Sequence, residues 1–418
     1  MIDSIPPVRE NYFEANYDKT KIAAYTLEDP LTFLDGSKVK NPADMARRRK
    51  EILGIFAKEM FGQEPPVPED LVIEKIEEED KALDGCAVRS QYKMFFRKDK
   101  SGPMIHWLLL RPRHIKEKAP IILFLNYGGN HQLLNDPEVV IPERPADYSE
   151  RYRFKPERGT LLNPAHPFHF PVQTILSAGY AVMSACYMDV SPDPDCWEKK
   201  DFAYTGVFDL WGKREESRDD NTTALGAWAW ALSRGLDLAE QIPELDAKKN
   251  VVTGCSRLGK AAFIAAARDE RFAVCVPIQC GGGGITLAKR DFGENIATEM
   301  KMFEHWYCKA YKKYERNPAQ LLTFDQHLMV AAIAPRRLLV GGFDNPWYDM
   351  EGEYLACKAA SPAWEICGKS GLPRDTFPEA YESACIGKDL GFYHRIGTHG
   401  LAAYDWWKLL HFAGFQPL

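Results

Sequence analysis

Residues 250–262 read NVVTGCSRLGKAA, and this stretch decides the fold. Its apolar start predicts a short buried strand, and its alanine-rich continuation to Arg268 predicts a helix. Ser256 stands in the tight turn between the two. That layout is typical of a nucleophile elbow, a sharp strand-to-helix turn that lifts a serine hydroxyl clear of a sheet. Backbone N–H groups at the start of such a helix can stabilise an oxyanion.

The usual elbow pattern, G-x-S-x-G, is matched only in part. Leu258 stands where the second glycine is expected, and Gly259 follows one place later. A serine that only caps the helix would fit the same residues. Both interpretations of Ser256 stay open on this stretch alone, and the rest of the chain has to decide between them.

The composition indicates a protein with a large core. The chain has 418 residues, of which 45% are hydrophobic and 12% aromatic, and α/β enzymes of this length are often one domain with long insertions. The net charge of −6 comes without a basic block, so no nucleic-acid partner is expected. No apolar run approaches the ~20 residues of a membrane span, so no membrane partner is expected either. The oligomeric state stays open, with a monomer as the expectation.

The start of the chain and the cysteines bear on its compartment. Residues 1–7 lack the basic and apolar segments of a secretory signal, so the sequence as written predicts a cytoplasmic protein. A trimmed form of a secreted or periplasmic protein would look the same. The ten cysteines are scattered, with no C-x-x-C motif and no Cys/His cluster at zinc-ligand spacing. They predict buried reduced thiols and no metal site.

Residues 1–100 predict an N-terminal wrap that belongs to the same domain as a catalytic core spanning residues 101–418. A helix is expected to begin after Asn41, which can cap it and is followed by a proline. The segment 71–97 alternates enough to predict two strands, with a hairpin turn at residues 84–85.

Beyond residue 100, predicted strands alternate with predicted helices, which is the pattern of an open and mostly parallel sheet. Polar residues fall in the loops that follow the strands. This order predicts an α/β-hydrolase, a three-layer sandwich with helices on both faces of the sheet and with serine, acid and histidine in that order along the chain. The expected strands are Ile105–Leu110, Ile121–Leu125, Tyr180–Cys186, Phe272–Ile278, Arg337–Val340 and Phe392–Ile396, and the expected helices include Pro171–Ala178, Asn221–Glu240, Glu351–Ala360 and Ala402–Phe412.

Two loop segments stand out. Four consecutive glycines, residues 281–284, follow the strand after the elbow. They predict either close approach of the backbone to a ligand or a neighbouring element, or a merely flexible loop. The polar segment Asp136–Phe170 has no clear period and predicts a long surface connection near the mouth of the site.

His399 is the candidate general base. It lies between the last expected strand and the last expected helix, where this fold places the histidine that takes the serine proton and returns it to the leaving group. A surface-loop histidine is the alternative. The elbow and the chain order favour the base.

Several motifs between about Asn126 and Trp406 resemble those of the glucuronoyl esterases, a carbohydrate esterase family with the α/β-hydrolase fold. GCSRLGK at 254–260 is similar to the family's G-C-S-R-x-G-K elbow, which lacks a glycine two places after the serine. NYGGNH at 126–131 resembles its G-G-N-H loop. GAWAW and LSR, in the helix before the elbow, also have counterparts.

The resemblance implies a role for each matching residue. Ser256 is the nucleophile, His399 is the base, and Arg257 stabilises the oxyanion through its backbone N–H and its guanidinium. No metal or organic cofactor is implied.

The resemblance also places Lys260, Glu294 and Trp347 against the sugar. A uronate ring offers vicinal hydroxyls to charged side chains and one face to an indole. A solvated helix lysine and a core tryptophan are the alternatives, and the motif match favours the sugar contacts.

The chain departs from the family at three positions. Some members carry a glutamate as the triad acid after the strand that follows the elbow, and here Gln279 stands in that place, so we expect it to contact the substrate instead. Others carry an acid two residues before the tryptophan, where this chain has Asn345. Fungal members bridge the cysteine beside the serine to one following the histidine. Gly400 follows His399 here, so that disulfide is not expected.

The acid that orients His399 therefore has to come from another position. Asp344 follows the strand that starts at Arg337, at the carboxyl end where such folds place this residue. A one-residue shift in the loop would bring it to the histidine, so Asp344 is the predicted acid. The alternatives are Asp349, which would otherwise cap the next helix, and a Ser–His pair with Gln279 holding the ring.

Together these features predict a serine esterase that hydrolyses esters of (4-O-methyl-)glucuronic acid, such as those joining glucuronoxylan to lignin alcohols. An acetyl or other acyl esterase acting on decorated sugars is the alternative among hydrolases. A carbohydrate-binding protein with a decayed triad is the alternative from another class, because Gln279 and Asn345 replace the usual acids.

Overall fold

The computed structural model describes residues 15–141, 157–194, 202–383 and 385–414. The chain start, on which the prediction of a missing secretory signal rests, lies outside these ranges, as do residues 142–156 of the long polar segment. Within the described ranges, no helix combines the length and the apolar character that crossing a membrane requires.

Nine strands in the described part of the chain form one sheet. They are β1 Val72–Ala82, β2 Ala87–Phe95, β3 Met104–Pro112, β4 Ala119–Asn126, β5 Ala181–Cys186, β6 Leu245–Cys255, β7 Val274–Ile278, β8 Arg337–Phe343 and β9 Leu390–Arg395. Their spatial order is β1-β2-β3-β5-β4-β6-β7-β8-β9. The pairings along β1-β2-β3-β5 are antiparallel, and those from β5 to β9 are parallel. The mostly parallel central sheet predicted from the sequence is confirmed.

The helices alternate with these strands along the chain. The described α-helices are α1 Pro42–Glu59, α2 Val172–Ser177, α3 Tyr187–Val190, α4 Ala224–Glu240, α5 Arg257–Arg268, α6 Ile296–Met302, α7 Pro318–Leu321, α8 Gln326–Ala331, α9 Met350–Glu365 and α10 Ala403–Ala413. Short 3-10 helices cover Lys19–Lys21, Asn130–Gln132, Thr160–Leu162, Gly206–Leu210, Ala288–Arg290, Glu304–Trp306 and Lys309–Tyr314.

Local signals set the elements that precede the catalytic core. The helix α1 begins where the sequence predicts, because the Asn41 side chain accepts the Asp44 N–H at 3.0 Å and Pro42 occupies the first turn. The hairpin between β1 and β2 also lies where it was predicted, with Asp84 and Gly85 at φ values of 56° and 83°. Both strands continue the central sheet.

Apolar side chains fill both faces of the sheet. In β6, Val252 packs into one core cluster and Val251 into the other, as the alternation of side chains along a strand requires. The first cluster takes in apolar residues of α1, α4, α5, α8 and α9, and the second takes in those of α2 and α10. Helices therefore cover both faces, and the three-layer sandwich is confirmed.

The carboxyl ends of the parallel strands meet at one edge of the sheet. The strand β4 leads into the loop at 126–131, β6 into Ser256 and β7 into Gln279, while Asp344 follows β8 and the loop with His399 follows β9. Because parallel strands share one direction, all these loops lie along the same edge. The candidate site is built there.

Candidate active site

Ser256 sits in a strained backbone turn between β6 and α5. Its φ and ψ are 58° and −131°, a conformation that costs a residue other than glycine on the order of 1–3 kcal/mol. Two hydrogen bonds hold the turn, since the Ser256 N–H donates to Ile278 O and the Lys260 N–H donates to Ser256 O, both at 2.9 Å. The predicted elbow is confirmed. The cap alternative is wrong, because the serine side chain makes no capping hydrogen bond.

Two glycines explain the altered elbow motif. A Cβ on Gly254 would lie 2.3 Å from Leu258 O, and a Cβ on Gly259 would lie 2.8 Å from Ile278 O. Neither separation is sterically possible without movement of the backbone. The Leu258 side chain is itself buried in the core. The close approach of helix to sheet therefore falls one place later than in the usual pattern, and so does the glycine.

The loop after β4 reaches back to the elbow. The Tyr127 hydroxyl donates to Cys255 O at 2.7 Å and also meets the Ser256 side chain. Asn126 fixes the loop, because its amide oxygen accepts the Gly129 N–H at 2.7 Å. A loop in this position supplies the second part of the oxyanion hole in α/β-hydrolases.

Arg257, directly after the serine, is held by a buried carboxylate. Asp193 is 1% exposed and accepts a hydrogen bond from Arg257 Nη1. It also accepts from His305 Nε2 at 2.7 Å, from Trp306 Nε1 at 2.8 Å and from the Tyr187 hydroxyl at 3.1 Å. Burial alone would raise the pKa of Asp193, but these partners, led by Arg257, lower it well below its usual range. The carboxylate stays ionised and fixes the guanidinium beside the serine.

One helical turn past the serine, Lys260 is buried between two carboxylates. Its Nζ lies 3.2 Å from Glu294 Oε2 and 3.4 Å from Glu299 Oε1, with the centre of the Trp306 ring 5.0 Å away. Burial disfavours the charged lysine, yet the two carboxylates raise the pKa of Lys260. Burial also raises the pKa of Glu299 to about 8, and Tyr307 donates to this side chain at 2.5 Å. The cluster concentrates ammonium, carboxyl and phenol groups next to the nucleophile.

The four glycines at 281–284 pack against this cluster. A Cβ on Gly281 would lie 2.7 Å from Glu294 Oε2. Glu353 in α9 accepts the Gly281 N–H at 2.7 Å. Burial raises the pKa of Glu353 to about 8. The glycines allow close approach to neighbouring elements, so this interpretation is confirmed over that of a flexible loop.

Arg395, at the end of β9, clamps the loop that carries His399. Its guanidinium donates to Thr398 O at 3.3 Å and to Gly400 O at 3.1 Å, one residue on either side of the histidine. Asp405 in α10 holds the same guanidinium, with its two oxygens 3.0 Å and 2.9 Å from Arg395 Nε. A buried ion pair thus fixes the backbone of the histidine loop.

The histidine loop touches the residue next to the nucleophile. The Gly400 N–H lowers the pKa of the Cys255 thiol, although burial raises that pKa overall. Cys255 is a free, buried cysteine, so the predicted absence of the disulfide is confirmed. A Cβ on Gly400 would lie 2.0 Å from Pro167 O.

The His399 imidazole lies among aromatic rings. The Tyr348 ring stacks on it, with centroids 4.9 Å apart and planes 10° from parallel. Phe343 and Phe168 lie at 6.0 Å and 5.9 Å, tilted by 53° and 88°. These contacts define the plane of the imidazole.

The charges around His399 are positive. Burial lowers the pKa of His399 to about 3, and Arg257, Arg395 and Lys260 lower it in the same direction. The Nδ1 atom is buried without a hydrogen-bond partner among the residues that the structure describes. The ring is therefore neutral at ordinary pH, and no carboxylate in the described ranges bonds to its second nitrogen.

Asp344 does not orient His399, so the predicted triad acid is wrong. Asp344 extends the pairing of β8 with β9, since its N–H donates to Arg395 O at 2.8 Å. Successive side chains of an extended strand point to opposite sides, and the preceding residue, Phe343, already points toward the histidine. Asp344 consequently points away from the ring and is exposed.

Asp349 and Gln279 are also bonded elsewhere. Asp349 accepts the Gly352 N–H at 3.1 Å and pairs with Arg290 Nε at 2.7 Å, so its alternative role as a helix cap is confirmed. Gln279 is buried, and its amide accepts the Phe343 N–H at 2.5 Å and donates to Phe343 O at 3.1 Å. The alternative in which Gln279 holds the histidine ring is wrong, because both ends of its amide bond to the backbone of Phe343, and its contact with a substrate stays a prediction.

Trp347 lies next to the lysine cluster. The Glu294 N–H donates to Trp347 O at 2.7 Å, and the indole is half-buried. Asn345 bonds within its own loop, accepting the Trp347 N–H on Oδ1 at 2.8 Å and the Tyr348 N–H on its backbone oxygen at 3.0 Å. The structure thus gathers Lys260, Glu294 and Trp347 along one wall, and their contacts with a sugar stay predictions.

Sequence reasoning missed the residues that support the predicted ones: Asp193, Glu299, Tyr348, and the Arg395–Asp405 pair. One signal was available, because Asp193 comes shortly after β5 and α3, and an acid after a parallel strand falls at the site edge. The partners of the others are set by tertiary contacts that no local pattern indicates. No group of three or more His, Cys, Asp and Glu in the described ranges is placed to hold a metal ion.

A strained elbow serine and a loop histidine, which follow two parallel strands at the same edge of the sheet, define the class of this protein as a serine hydrolase of the α/β-hydrolase fold. A family model described as "Glucuronyl esterase, fungi" matches residues 175–368. Over 403 residues the chain is 30% identical to the carbohydrate esterase MZ0003 from an unknown prokaryotic organism, an alignment that covers 95% of this chain and 91% of that protein. The chain belongs to the glucuronoyl esterase family.

Two further relatives agree. The solved structure of a glucuronoyl esterase from Solibacter usitatus is 34% identical, covers 95% of this chain and 99% of its own, and matches with a TM-score of 0.85. A 4-O-methyl-glucuronoyl methylesterase from Hypocrea jecorina is 33% identical over 172 residues, which are 39% of this chain and 36% of that protein. The family resemblance seen in the sequence is confirmed, and the protein is a carboxylic ester hydrolase.

Proposed function

We propose that this protein hydrolyses esters of (4-O-methyl-)glucuronic acid, with lignin alcohols on glucuronoxylan as the natural leaving groups. The observation that carries the proposal is the buried pair of Lys260 and Glu294, one helical turn beyond Ser256. Charged hydrogen-bonding groups at that distance fit the hydroxyls of a sugar ring whose ester carbonyl lies at the nucleophile. The name of the Hypocrea jecorina relative supports the same substrate class.

In the acylation half of the reaction, Ser256 Oγ attacks the ester carbonyl carbon. His399 takes the serine proton on Nε2, because Nδ1 is enclosed by the protein. Negative charge develops on the carbonyl oxygen, where the Arg257 N–H and guanidinium stabilise it. His399 then protonates the alcohol oxygen, the carbon–oxygen bond breaks, and the glucuronoyl group stays on the serine.

Deacylation repeats these steps with water. His399 removes a proton from a water molecule, which attacks the acyl carbon, and the same arginine stabilises the second oxyanion. The proton returns to Ser256 Oγ as glucuronate leaves. The Asp193 carboxylate keeps the guanidinium in one orientation through both halves.

Recognition of the sugar comes from the wall formed by Lys260, Glu294 and Trp347. The ammonium donates to ring hydroxyls and the carboxylate accepts from them, while the half-buried indole offers an apolar face. A substrate without these hydroxyls forms none of these hydrogen bonds with the Lys260–Glu294 pair. The site therefore favours a uronate ester over a simple acetate.

The test compares turnover of benzyl glucuronate with that of 4-nitrophenyl acetate and of acetylated xylo-oligosaccharides. We expect kcat/KM for the glucuronate ester to exceed that for either acetate by on the order of 10²-fold or more. The Ser256→Ala variant serves as the control for background hydrolysis. Preference for the acetylated sugar would assign an acyl esterase instead, and binding of the glucuronate ester without cleavage would leave only a carbohydrate-binding protein.

A further inference from the structure

The base of this site lacks the partner that a catalytic histidine usually has. His399 Nδ1 is buried, and it meets neither a carboxylate nor a carbonyl oxygen among the described residues. Arg257 and Lys260 from α5 and Arg395 from β9 lower the pKa of the ring, and each of these cations is paired with a carboxylate of its own. An imidazolium formed during attack on the ester therefore has no carboxylate bonded to it among the described residues.

The polar side chains nearest in sequence do not fill this gap. Asp344 is exposed on the other side of the strand, Asp349 is bonded to Arg290, and the Gln279 amide is bonded to the backbone of Phe343. Among the rings that the structure describes around the imidazole, that of Tyr348 lies parallel to it, 4.9 Å away and 10° from parallel.

We propose that Tyr348 is the positioning residue of His399, and that its stacked ring takes over from the missing acid both in orienting the imidazole and in stabilising the imidazolium. The inference rests on the proposed Ser256–His399 chemistry but not on the identity of the sugar.

Tyr348 is itself held firmly. Its N–H donates to Asn345 O at 3.0 Å, and its carbonyl oxygen accepts the Thr286 hydroxyl at 2.8 Å. The ring is buried, and Gly281 leaves room for it, because a Cβ at that position would lie 2.7 Å from Tyr348 Cδ1. Asn345 thus helps to fix the loop that carries the stacking ring.

The face of an aromatic ring carries partial negative charge, so it attracts a cation placed over it. A neutral imidazole gains little from that charge, whereas the imidazolium in the transition state gains more, and the gain is larger in a desolvated site. The stack cannot choose between the two imidazole tautomers as a carboxylate on Nδ1 would. We therefore expect the Tyr348 ring to provide only part of the rate enhancement that a triad acid provides.

The test replaces the aromatic ring with an apolar side chain that cannot stack. Tyr348→Phe keeps the stack and should retain kcat within about twofold, whereas Tyr348→Leu should lower kcat by about tenfold with little change in KM, the size of a desolvated cation–π contact. Tyr348→Met, which fills irregular space, repeats the measurement if the leucine variant does not fold. Thermal unfolding of each variant establishes that the fold is intact.

A second readout is independent of the sugar. The rate at which a fluorophosphonate modifies Ser256 needs the base but no glucuronate: the Oγ–phosphorus bond forms, fluoride leaves, and the serine proton goes to His399. We expect this rate to fall in the leucine variant by the same factor as kcat and to hold in the phenylalanine variant. Equal losses in both variants, or none in the folded leucine or methionine variant, would overturn the proposal. A wrong sugar assignment would leave these rates unchanged.

Discussion

Arg257 and His399 are the residues that we propose act on either side of Ser256, and the chain supports them in opposite ways. Behind Arg257, the buried Asp193 carboxylate collects four hydrogen-bond donors and stays ionised. Behind His399, Nδ1 has no partner in the described part of the chain, and the neighbouring charges are positive. On the oxyanion side, Arg257 is held by the Asp193 carboxylate. On the base side, His399 is held by the Arg395 hydrogen bonds to its loop and by the stacked Tyr348 ring.

The difference teaches that placing a catalytic group and compensating its charge are separate tasks. The Arg395–Asp405 pair places the histidine loop, but its carboxylate is bonded to the guanidinium and not to the imidazole. The Asp193–Arg257 pair does both tasks, because the carboxylate that orients the guanidinium also neutralises it in the resting site. Turnover should therefore depend more on the oxyanion side than on any acid behind the base.

The largest expected effect comes from removing Ser256, the serine on which Arg257 and His399 are both proposed to act. Ser256→Ala should lower kcat by on the order of 10⁴- to 10⁶-fold, because removing the nucleophile of a triad leaves only the oxyanion hole and binding. The fold should persist, since the serine side chain caps no helix. Steady-state turnover of an ester together with a circular dichroism spectrum checks both statements. Turnover near that of the wild type would show that Ser256 is not the nucleophile.

The next effect probes the oxyanion side. Asp193→Asn keeps the shape but loses the charge that holds Arg257, and we expect kcat to fall by about 10²-fold, the usual loss for one oxyanion stabiliser. Tyr187→Phe removes one donor to the same carboxylate and is the matched control, with an expected loss of about 1 kcal/mol in the free energy of unfolding. Full activity of Asp193→Asn would show that the Arg257 guanidinium does not depend on the Asp193 carboxylate.

The same carboxylate predicts a pH dependence of stability. Its pKa is lowered in the folded protein, so it contributes stability at pH values above about 3.9, the pKa of an unfolded aspartate, and this contribution is lost as the pH falls further. The difference in unfolding free energy between wild type and Asp193→Asn should be widest near pH 7 and should shrink below about pH 4. Urea unfolding at pH 7, 5 and 3.5 measures it, and a constant difference would contradict the assignment.

A smaller and selective effect is expected along the sugar wall. Glu294→Gln should lower kcat/KM for benzyl glucuronate by about tenfold and leave 4-nitrophenyl acetate nearly unchanged, because only the first substrate donates hydroxyls to this carboxylate. The acetate is the internal control for folding and for the serine–histidine chemistry. An equal loss on both substrates would show that Glu294 supports Lys260 and not the sugar.

The smallest expected effect is on the base side. Asp344→Asn should change kcat by less than about twofold and the unfolding free energy by less than about 0.5 kcal/mol, as for most exposed positions. Turnover measured from pH 5 to pH 9 checks the kinetic part. A loss of several orders of magnitude would mean that Asp344 reaches His399 during catalysis, and the contrast between the two sides would disappear.

Local sequence signals were sufficient for most of the fold. Asn41 caps α1 as predicted, the hairpin turn falls at residues 84–85, and the predicted strand-to-helix turn lies at Ser256, where φ is positive. Each of these features depends on residues within a few places of one another, through a cap, a turn or an apolar period. The same holds for His399, whose place after the last strand follows from the order of the elements.

The partners of the site residues could not be predicted in this way. Asp193 and Arg257 are 64 positions apart, and the stacking of Tyr348 on His399 joins two separate loops. The error at Asp344 has a specific cause: the strand β8 runs to Phe343 and its pairing continues through the next N–H. A shift of one residue in a paired strand sends a side chain to the opposite side and does not bring it closer.

Gly400 bears on how this protein responds to reducing and oxidising conditions. Pro167 leaves no room for a side chain at this position, and Cys255 beside the serine is a free thiol. The histidine loop is fixed by hydrogen bonds from Arg395 and by the Arg395–Asp405 ion pair, which reducing agents do not break. Thiol–disulfide exchange has no bond to act on at this junction, so the alignment of nucleophile and base is independent of redox potential.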